Sequence, residues 1–338
     1  MTDSKYEKRN LEPRTKTNKK KGLIIFGIII GVVILVAILA SIFGGRSSKE
    51  PGVHDKPFSS GKQNVAQIHI TGEITEEGTE YNQEWLTNTI NTAKFDKDNK
   101  GIMLVINSPG GTIYESDETY QRLMDYKEET GRPIYAYMEH MAASGGYYVA
   151  TPADQIYINR NGITGSIGVI GGAAIDASEL MEKIGVKAQV IHSGANKVMG
   201  SLYEPMTEEQ IAILQALSDE AYAQFVEIVA QGRNMDPARV RELADGRIYT
   251  AKQAVENGLV DGMSEYQDFE DKMVADQGFE DKVEFVEREY EQEKTLFDNM
   301  IGLRGEEFIK GMPQDPLTST LETLRELEIT EPMYLYQR

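Results

Sequence analysis

Ser144 is the residue around which a reaction is most easily built. It stands in Ala142-Ala143-Ser144-Gly145-Gly146-Tyr147-Tyr148, where small neighbours admit a substrate and the next N–H lies beside the hydroxyl. The same serine could instead cap a helix, with the glycines serving close packing. The pattern is not G-x-S-x-G, which disfavours an α/β-hydrolase. Two other glycine-rich runs accompany it. Asn107-Ser108-Pro109-Gly110-Gly111 could aim backbone N–H groups at an anion or oxyanion, or could simply turn a strand into a helix. Gly162-Ile163-Thr164-Gly165-Ser166-Ile167-Gly168-Val169-Ile170-Gly171-Gly172 has too many glycines for a helix interior. Its Gly165, Ile167, Gly168 and Val169 are candidates to lie along an added peptide strand; the alternative is a glycine-bent strand packed on its neighbour.

A nucleophilic serine needs a base. The chain has four histidines, His54, His69, His140 and His192, and sequence distance alone excludes neither His140 nor His192 from a triad. A lysine is the other route, because burial lowers an ammonium pKa from about 10.4 toward neutrality. Most lysines have acidic neighbours. Lys197 differs: it lies in Gly194-Ala195-Asn196-Lys197-Val198-Met199-Gly200, with no acid until Glu204.

Other chemistries lack their residues. With no cysteine there is no thiolate nucleophile, disulfide or Cys-type zinc site. No residue cluster has metal-ligand spacing, and no run matches G-x-x-x-x-G-K-[ST]. The expectation is a hydrolase without a cofactor.

Strand-length apolar runs at Val65–Ile70, Ile102–Ile106, Ile134–Met138, Gln155–Ile158 and Lys187–Ile191 must position these residues. Helical patterns lie between or after them at Ile113–Thr130, Ala143–Ala150, Ala177–Ile184 and Thr207–Arg233, with a shorter one at Thr250–Asn257 stopped by Gly258. Alternation of the two kinds predicts an α/β fold with a mostly parallel sheet. From Tyr266 to about Gly302 the pattern predicts an acidic helix, and Pro313, Pro316 and Pro332 follow.

The charge is uneven along the chain. The 338 residues hold 35 Lys+Arg against 54 Asp+Glu, a net charge of −19, which disfavours a nucleic-acid partner. Residues 1–21 carry eight basic and three acidic side chains, a local +5, which leaves −24 for the remainder. Residues 22–45 are uncharged and as a helix would span roughly 36 Å, enough for a hydrocarbon layer of about 30 Å. The run is too long for a cleaved signal peptide. Its basic flank predicts a single-pass anchor in the cell membrane, with the amino terminus cytoplasmic and the following domain outside. The segment 46–63 reads as a tether, 64–263 as the main domain, and 264–338 as an acidic helical extension and tail.

Together the anchor, SPGG (108–111), AASGGYY (142–148), TGSIGV (164–169), SGANK (193–197) and GRIYTAKQAVENGLVDG (246–262) resemble the signal peptide peptidase A family in its half-length Gram-positive form. The motifs run in the family's order from about Val65 to Met263. The resemblance implies a ClpP/crotonase-like fold, Ser144 as nucleophile, Lys197 as general base, Ser166 orienting that lysine, and backbone N–H groups of Gly111 and Gly145 as the oxyanion hole. It also implies remnant signal peptides and unfolded peptides as substrates, and a ring-shaped homo-oligomer in which a half-length chain completes its Ser/Lys dyad across a subunit boundary. The apolar tail Met333-Tyr334-Leu335-Tyr336 is expected to dock as an edge strand or to enter the active-site groove like a substrate. Two rivals stand beside this reading: an acyl-CoA enzyme of the crotonase type, for which the Glu acid/base pair has no match, and a non-catalytic membrane-anchored scaffold that binds peptides.

Overall fold

Ile102, Leu104 and Ile106 point to one face of a strand and Met103 and Val105 to the other, and all five are buried. An apolar run with no polar alternation suits a strand covered on both faces, as in a parallel sheet. In the computed structural model this run is the inner part of β2 (Asn99–Ser108), flanked by β1 (Asn64–Thr71) and β4 (Ile134–Ala143) in parallel register. The structure describes Phe58 and residues 61–279, 283–292 and 333–335. The chain divides into Met1–Val53 and His54–Arg338, and every described residue belongs to the second unit. The expected anchor at 22–45 lies outside the described residues. Among the described residues no helix is long and apolar enough to cross a membrane.

The sheet runs β7-β6-β4-β2-β1-β9, where β6 is Ile163–Gly165, β7 is Ile248–Thr250 and β9 is Glu284–Arg288. Only β6 and β7 pair antiparallel; the other ladders of this sheet are parallel. The long β4 divides its free edge between two partners. Tyr135–Met138 pairs with β5 (Gln155–Ile158), and Met141–Ala143 pairs with β6. Beyond β5 lies the two-residue β8 (Gly262–Met263).

One face of the sheet carries α1 (Gln83–Phe95), α2 (Ile113–Thr130), the short α3 (Gly145–Tyr148) and the carboxyl end of α5 (Glu208–Gly232). The other packs Val65, Met103, Val105, Tyr135 and Tyr137 against Phe269 and Met273 of α8 (Tyr266–Gln277). Burying each such side chain stabilises the fold by about 1.5–3 kcal/mol. Local signals fix the ends: Asn82 caps α1 by accepting from the Trp85 N–H, and Thr207 and Gln210 form a reciprocal capping box on α5. The remaining helices are α4 (Ser178–Lys183), α6 (Pro237–Leu243) and α7 (Ala251–Glu256).

Two sequence expectations are corrected. Lys187–Ile191 forms no strand; it is exposed chain after α4, and Val190 and Ile191 have no sheet to join. The helix expected from Tyr266 to about Gly302 ends at Gln277, where Gly278 adopts φ 61° and closes it, and the chain returns as strand β9. No sequence pattern announces the helices α1 and α6 or the short strands Gly110–Thr112, β6, β7, β8 and β9. The five remaining helical patterns and four of the five strand patterns form, with end shifts of a few residues.

Candidate active site

Sheet register brings the three glycine-rich runs together. Ser108 pairs with Ala142 after an irregularity in the β2–β4 ladder, and Ala143 pairs with Gly165. The carboxyl ends of β2, β4 and β6 therefore lie side by side, the usual place for a site on a parallel sheet.

Ser144 follows β4 directly and precedes α3. Its backbone has φ 53° and ψ −119°, a combination that costs a residue with a side chain about 1–3 kcal/mol. Hydrogen bonds on both sides hold it there. Its N–H donates to the Gly165 carbonyl at 2.8 Å, and its carbonyl accepts from the N–H groups of Tyr147 and Tyr148 at 3.0 and 2.9 Å. The helix-cap reading of this serine fails: it stands at the cap position of α3, yet its hydroxyl makes no cap hydrogen bond. The residue is 1% exposed and, among the described residues, its Oγ has no hydrogen-bond partner. A buried, unpaired hydroxyl is costly in an ordinary core, so this one is kept for something other than packing. The geometry is a strained strand-turn-helix elbow built without G-x-S-x-G.

Gly111 and Gly145 flank it at close quarters. A Cβ on Gly145 would fall 2.5 Å from Ser116 Oγ and 3.1 Å from the Gly111 nitrogen, and a Cβ on Gly111 would fall 1.9 Å from the Ile74 carbonyl oxygen. Neither position has room for a side chain. As the first residue of α3, Gly145 has an N–H with no acceptor inside the helix. The Gly111 strand, β3 (Gly110–Thr112), is held from one side by Ile74, whose N–H donates to the Gly110 carbonyl and whose carbonyl accepts from the Thr112 N–H, both at 2.9 Å. The Gly110 N–H donates to Ser108 Oγ at 3.1 Å. Along its other edge β3 pairs antiparallel with β10 (Met333–Leu335), so the tail docks as an edge strand directly on the glycine run.

The third run serves the fold more than a groove. Gly165 is buried with φ 91° and its carbonyl is committed to Ser144, and Ile167 is fully buried in the core. Gly168 and Val169 stay half-exposed on a cleft of about 450 Å³. Ser166 (φ 51°) is held through its N–H by the Arg247 carbonyl at 2.8 Å.

Lys197 does not reach this centre within its own chain. It lies in the exposed turn 193–200, its N–H donates to the Gly194 carbonyl, and no hydrogen bond joins its amine to Ser144 or Ser166. Its side chain is exposed within its own fold. The histidines offer no substitute. His140 is exposed on β4 and makes no hydrogen bond to the buried Ser144 Oγ, His69 contacts Glu287 at the far β1–β9 edge, and His192 faces the Gly194 carbonyl; His54 lies outside the described residues. Tyr147 beside the serine is no base, since burial pushes its phenol well above the ordinary range and its hydroxyl already donates to the Leu259 carbonyl at 2.7 Å.

Several supporting residues were not singled out from sequence. Ile74 and Ser116 are ordinary residues until the fold brings them under the glycines. Asp261 of the GLVDG run accepts from the Ile156 N–H at 2.7 Å and pairs with Arg233, which locks the strand after the elbow to α5. Tyr148 donates to Asp117 at 2.7 Å and ties the elbow to α2.

Comparison with known proteins agrees with a peptidase site. Peptidase family S49 matches residues 126–280. The protein of Enterococcus faecium named signal peptide peptidase SppA is 35% identical over 296 residues, covering 84% of this chain and 85% of that one. Protease 4 of Haemophilus influenzae is 32% identical over 205 residues, 61% of this chain and 32% of that protein. The chloroplastic serine protease SPPA of Arabidopsis thaliana is 31% identical over 195 residues, 57% of this chain and 28% of its own length. A point mutant of ClpP1 from Listeria monocytogenes superposes loosely, with a TM-score of 0.41 at 15% identity over 60% of this chain and 92% of that one. The extent of the match to the Enterococcus protein places this chain in peptidase family S49, as a serine peptidase with a mixed α/β fold.

Proposed function

We propose that the protein is a membrane-anchored endopeptidase that degrades remnant signal peptides and other unfolded peptides at the outer face of the cytoplasmic membrane. Ser144 is its nucleophile and Lys197 its general base, and the two meet across the boundary between copies of the chain. One observation carries this reading: the hydroxyl of the backbone-strained Ser144 is buried beside Gly111 and Gly145 with no hydrogen-bond partner among the described residues.

The region that carries Lys197 supports the second half. Leu180, Ile184, Val186, Val190, Ile191, Ile211 and Leu217 are all exposed, more large apolar side chains on one stretch of sequence than a surface left bare usually carries. A second copy docked there would bury these side chains and bring the uncharged Lys197 turn into a drier setting, where the neutral amine is favoured. Ser166 would orient that amine, and Gly168 and Val169 would line the peptide groove.

The steps follow from the groups. Neutral Lys197 takes the Ser144 proton as Oγ attacks the scissile carbonyl carbon. The Gly111 and Gly145 N–H groups hold the oxygen as it becomes negative, and removing one such donor typically costs about 10²–10³ in kcat. The lysinium then gives its proton to the leaving amine as the C–N bond breaks. The neutral lysine then deprotonates a water that attacks the acyl carbon, and the lysinium gives that proton to Ser144 Oγ as the ester C–O bond breaks. No cofactor is needed.

The test is turnover of an unfolded protein and of a signal-peptide-like peptide by the full chain in detergent. Ser144→Ala and Lys197→Ala should each lower kcat by more than about 10³-fold. Wild-type turnover by either variant would refute the dyad; no turnover of either substrate by the wild type would favour the scaffold.

A further inference from the structure

Beside Thr112 the chain forms a cleft of about 750 Å³ whose walls include Glu76, Glu77, Glu84, Glu115 and Asp117 and no Lys or Arg. Among the described residues no ion pair neutralises Glu76, Glu77, Glu84 or Asp117. We infer that this cleft selects peptides carrying Lys or Arg on the amino-terminal side of the bond to be cut. The inference rests on the peptidase reading above and adds a specificity to it.

Two observations beyond the charge point to a ligand. Thr112 is 9% exposed and lines the cleft, and among the described residues its Oγ1 has no hydrogen-bond partner; a lysine ammonium or an arginine fork would supply the missing donor. Strand β10 supplies the direction: it lies on β3 with Leu335 opposite Gly110 and Met333 opposite Thr112. A peptide in that position points its amino-terminal end toward Thr112 and the carboxylates, while the carbonyl under attack sits at Gly111 and Gly145. Residues that precede the cut therefore meet the acidic walls.

The occupant is a peptide cation. Among the described residues no group of three or more His, Cys, Asp or Glu is arranged to hold a metal ion, so the carboxylates are spread too widely for a compact cation and suit long basic side chains. The chain's own tail has the wrong sign, since Glu326, Glu328 and Glu331 precede Met333. A basic stretch followed by an apolar one is the order found at the start of a signal peptide. That order matches an acidic cleft upstream of the catalytic serine.

The experiment uses the full chain in detergent and three peptides that share one apolar cleavable run, preceded by Lys-Lys, Ala-Ala or Glu-Glu. The ratio of kcat/KM for the Lys-Lys peptide over the Glu-Glu peptide should be about tenfold or more. It should shrink as salt rises from about 0.05 to about 0.5 M. In the variant Glu76→Gln/Glu77→Gln/Glu84→Gln, checked for folding by circular dichroism, the ratio should fall to about twofold. A ratio near one in the wild type, a ratio insensitive to salt, or an undiminished ratio in the folded variant overturns the inference. Failure to cleave any of the three peptides overturns the peptidase reading itself.

Discussion

The nucleophile end of the sheet and the segment from Ile170 to Leu217 are built by opposite rules. Around Ser144 the backbone is fixed by hydrogen bonds from β6, α3 and Ile74, and the glycines leave no spare volume. Around Lys197 the chain has little of its own to pack on: α4 has no buried residue, and Ile191 is 92% exposed. A core that holds a strained serine supports that strain from within. A segment rich in exposed apolar side chains has surface prepared for contact with something outside it. In the proposed catalytic centre, one half is finished by folding and the other would be finished by assembly.

The largest effect short of removing the dyad should come from the finished half. Gly145→Ala pushes a methyl group against Ser116 Oγ and toward the Gly111 nitrogen, and kcat should drop by about 10²–10³ through a displaced oxyanion donor. Circular dichroism should show that the variant still folds, with a lowered melting temperature because Ser116 Oγ, which donates to the Thr112 carbonyl at 2.7 Å, must shift. Gly111→Ala meets the Ile74 backbone instead and should lower the melting temperature as well. A Gly145→Ala variant with unchanged kcat would show that this N–H takes no part.

A smaller effect is expected in the borrowed half. Leu180→Asp with Ile191→Asp should leave the melting of the sheet core unchanged, because neither side chain is buried in this chain. It should weaken self-association and lower activity roughly tenfold at dilute protein, with recovery at high concentration, since mass action governs a site completed by a partner. Sedimentation and activity measured on the same samples check this. Loss of activity without loss of association would mean that this segment serves the site in some way other than assembly.

The smallest effect belongs to the tail. Met333–Leu335 pairs with Gly110–Thr112, where substrate is proposed to lie, so removing residues 330–338 should lower KM roughly two- to fivefold and leave kcat unchanged. Unchanged kinetics would mean that the tail merely decorates the edge.

Much of the first region was legible in sequence because local signals and motif order agree there. The helix Ile113–Thr130 and the strand Gln155–Ile158 have the expected bounds, and SPGG, AASGG and TGS fall at adjacent strand ends. The contribution of Ile74 was invisible, because it depends on a bridge to Gly111 that no local pattern encodes. Helix α1 was hidden by its Asn and Thr residues, which are weak helix formers; its apolar stripe of Trp85, Leu86, Ile90 and Ala93 decides its fate only once a sheet lies beneath it. The run Lys187–Ile191 misled for the opposite reason. Its β-branched residues favour a strand, but a strand needs an edge, and this chain offers none there.

The central claim is that Ser144 and Lys197 act together across a boundary between copies, and mixing two inactive variants tests it most directly. Ser144→Ala and Lys197→Ala chains, each inactive alone, would be dissociated, combined and reassembled, with mixed assemblies verified by two different tags. In random one-to-one mixtures about one boundary in four would pair an intact Ser144 with an intact Lys197, and activity should return to about that fraction of wild type. No recovery in verified mixed assemblies, or full turnover by an isolated wild-type monomer, would contradict the shared site.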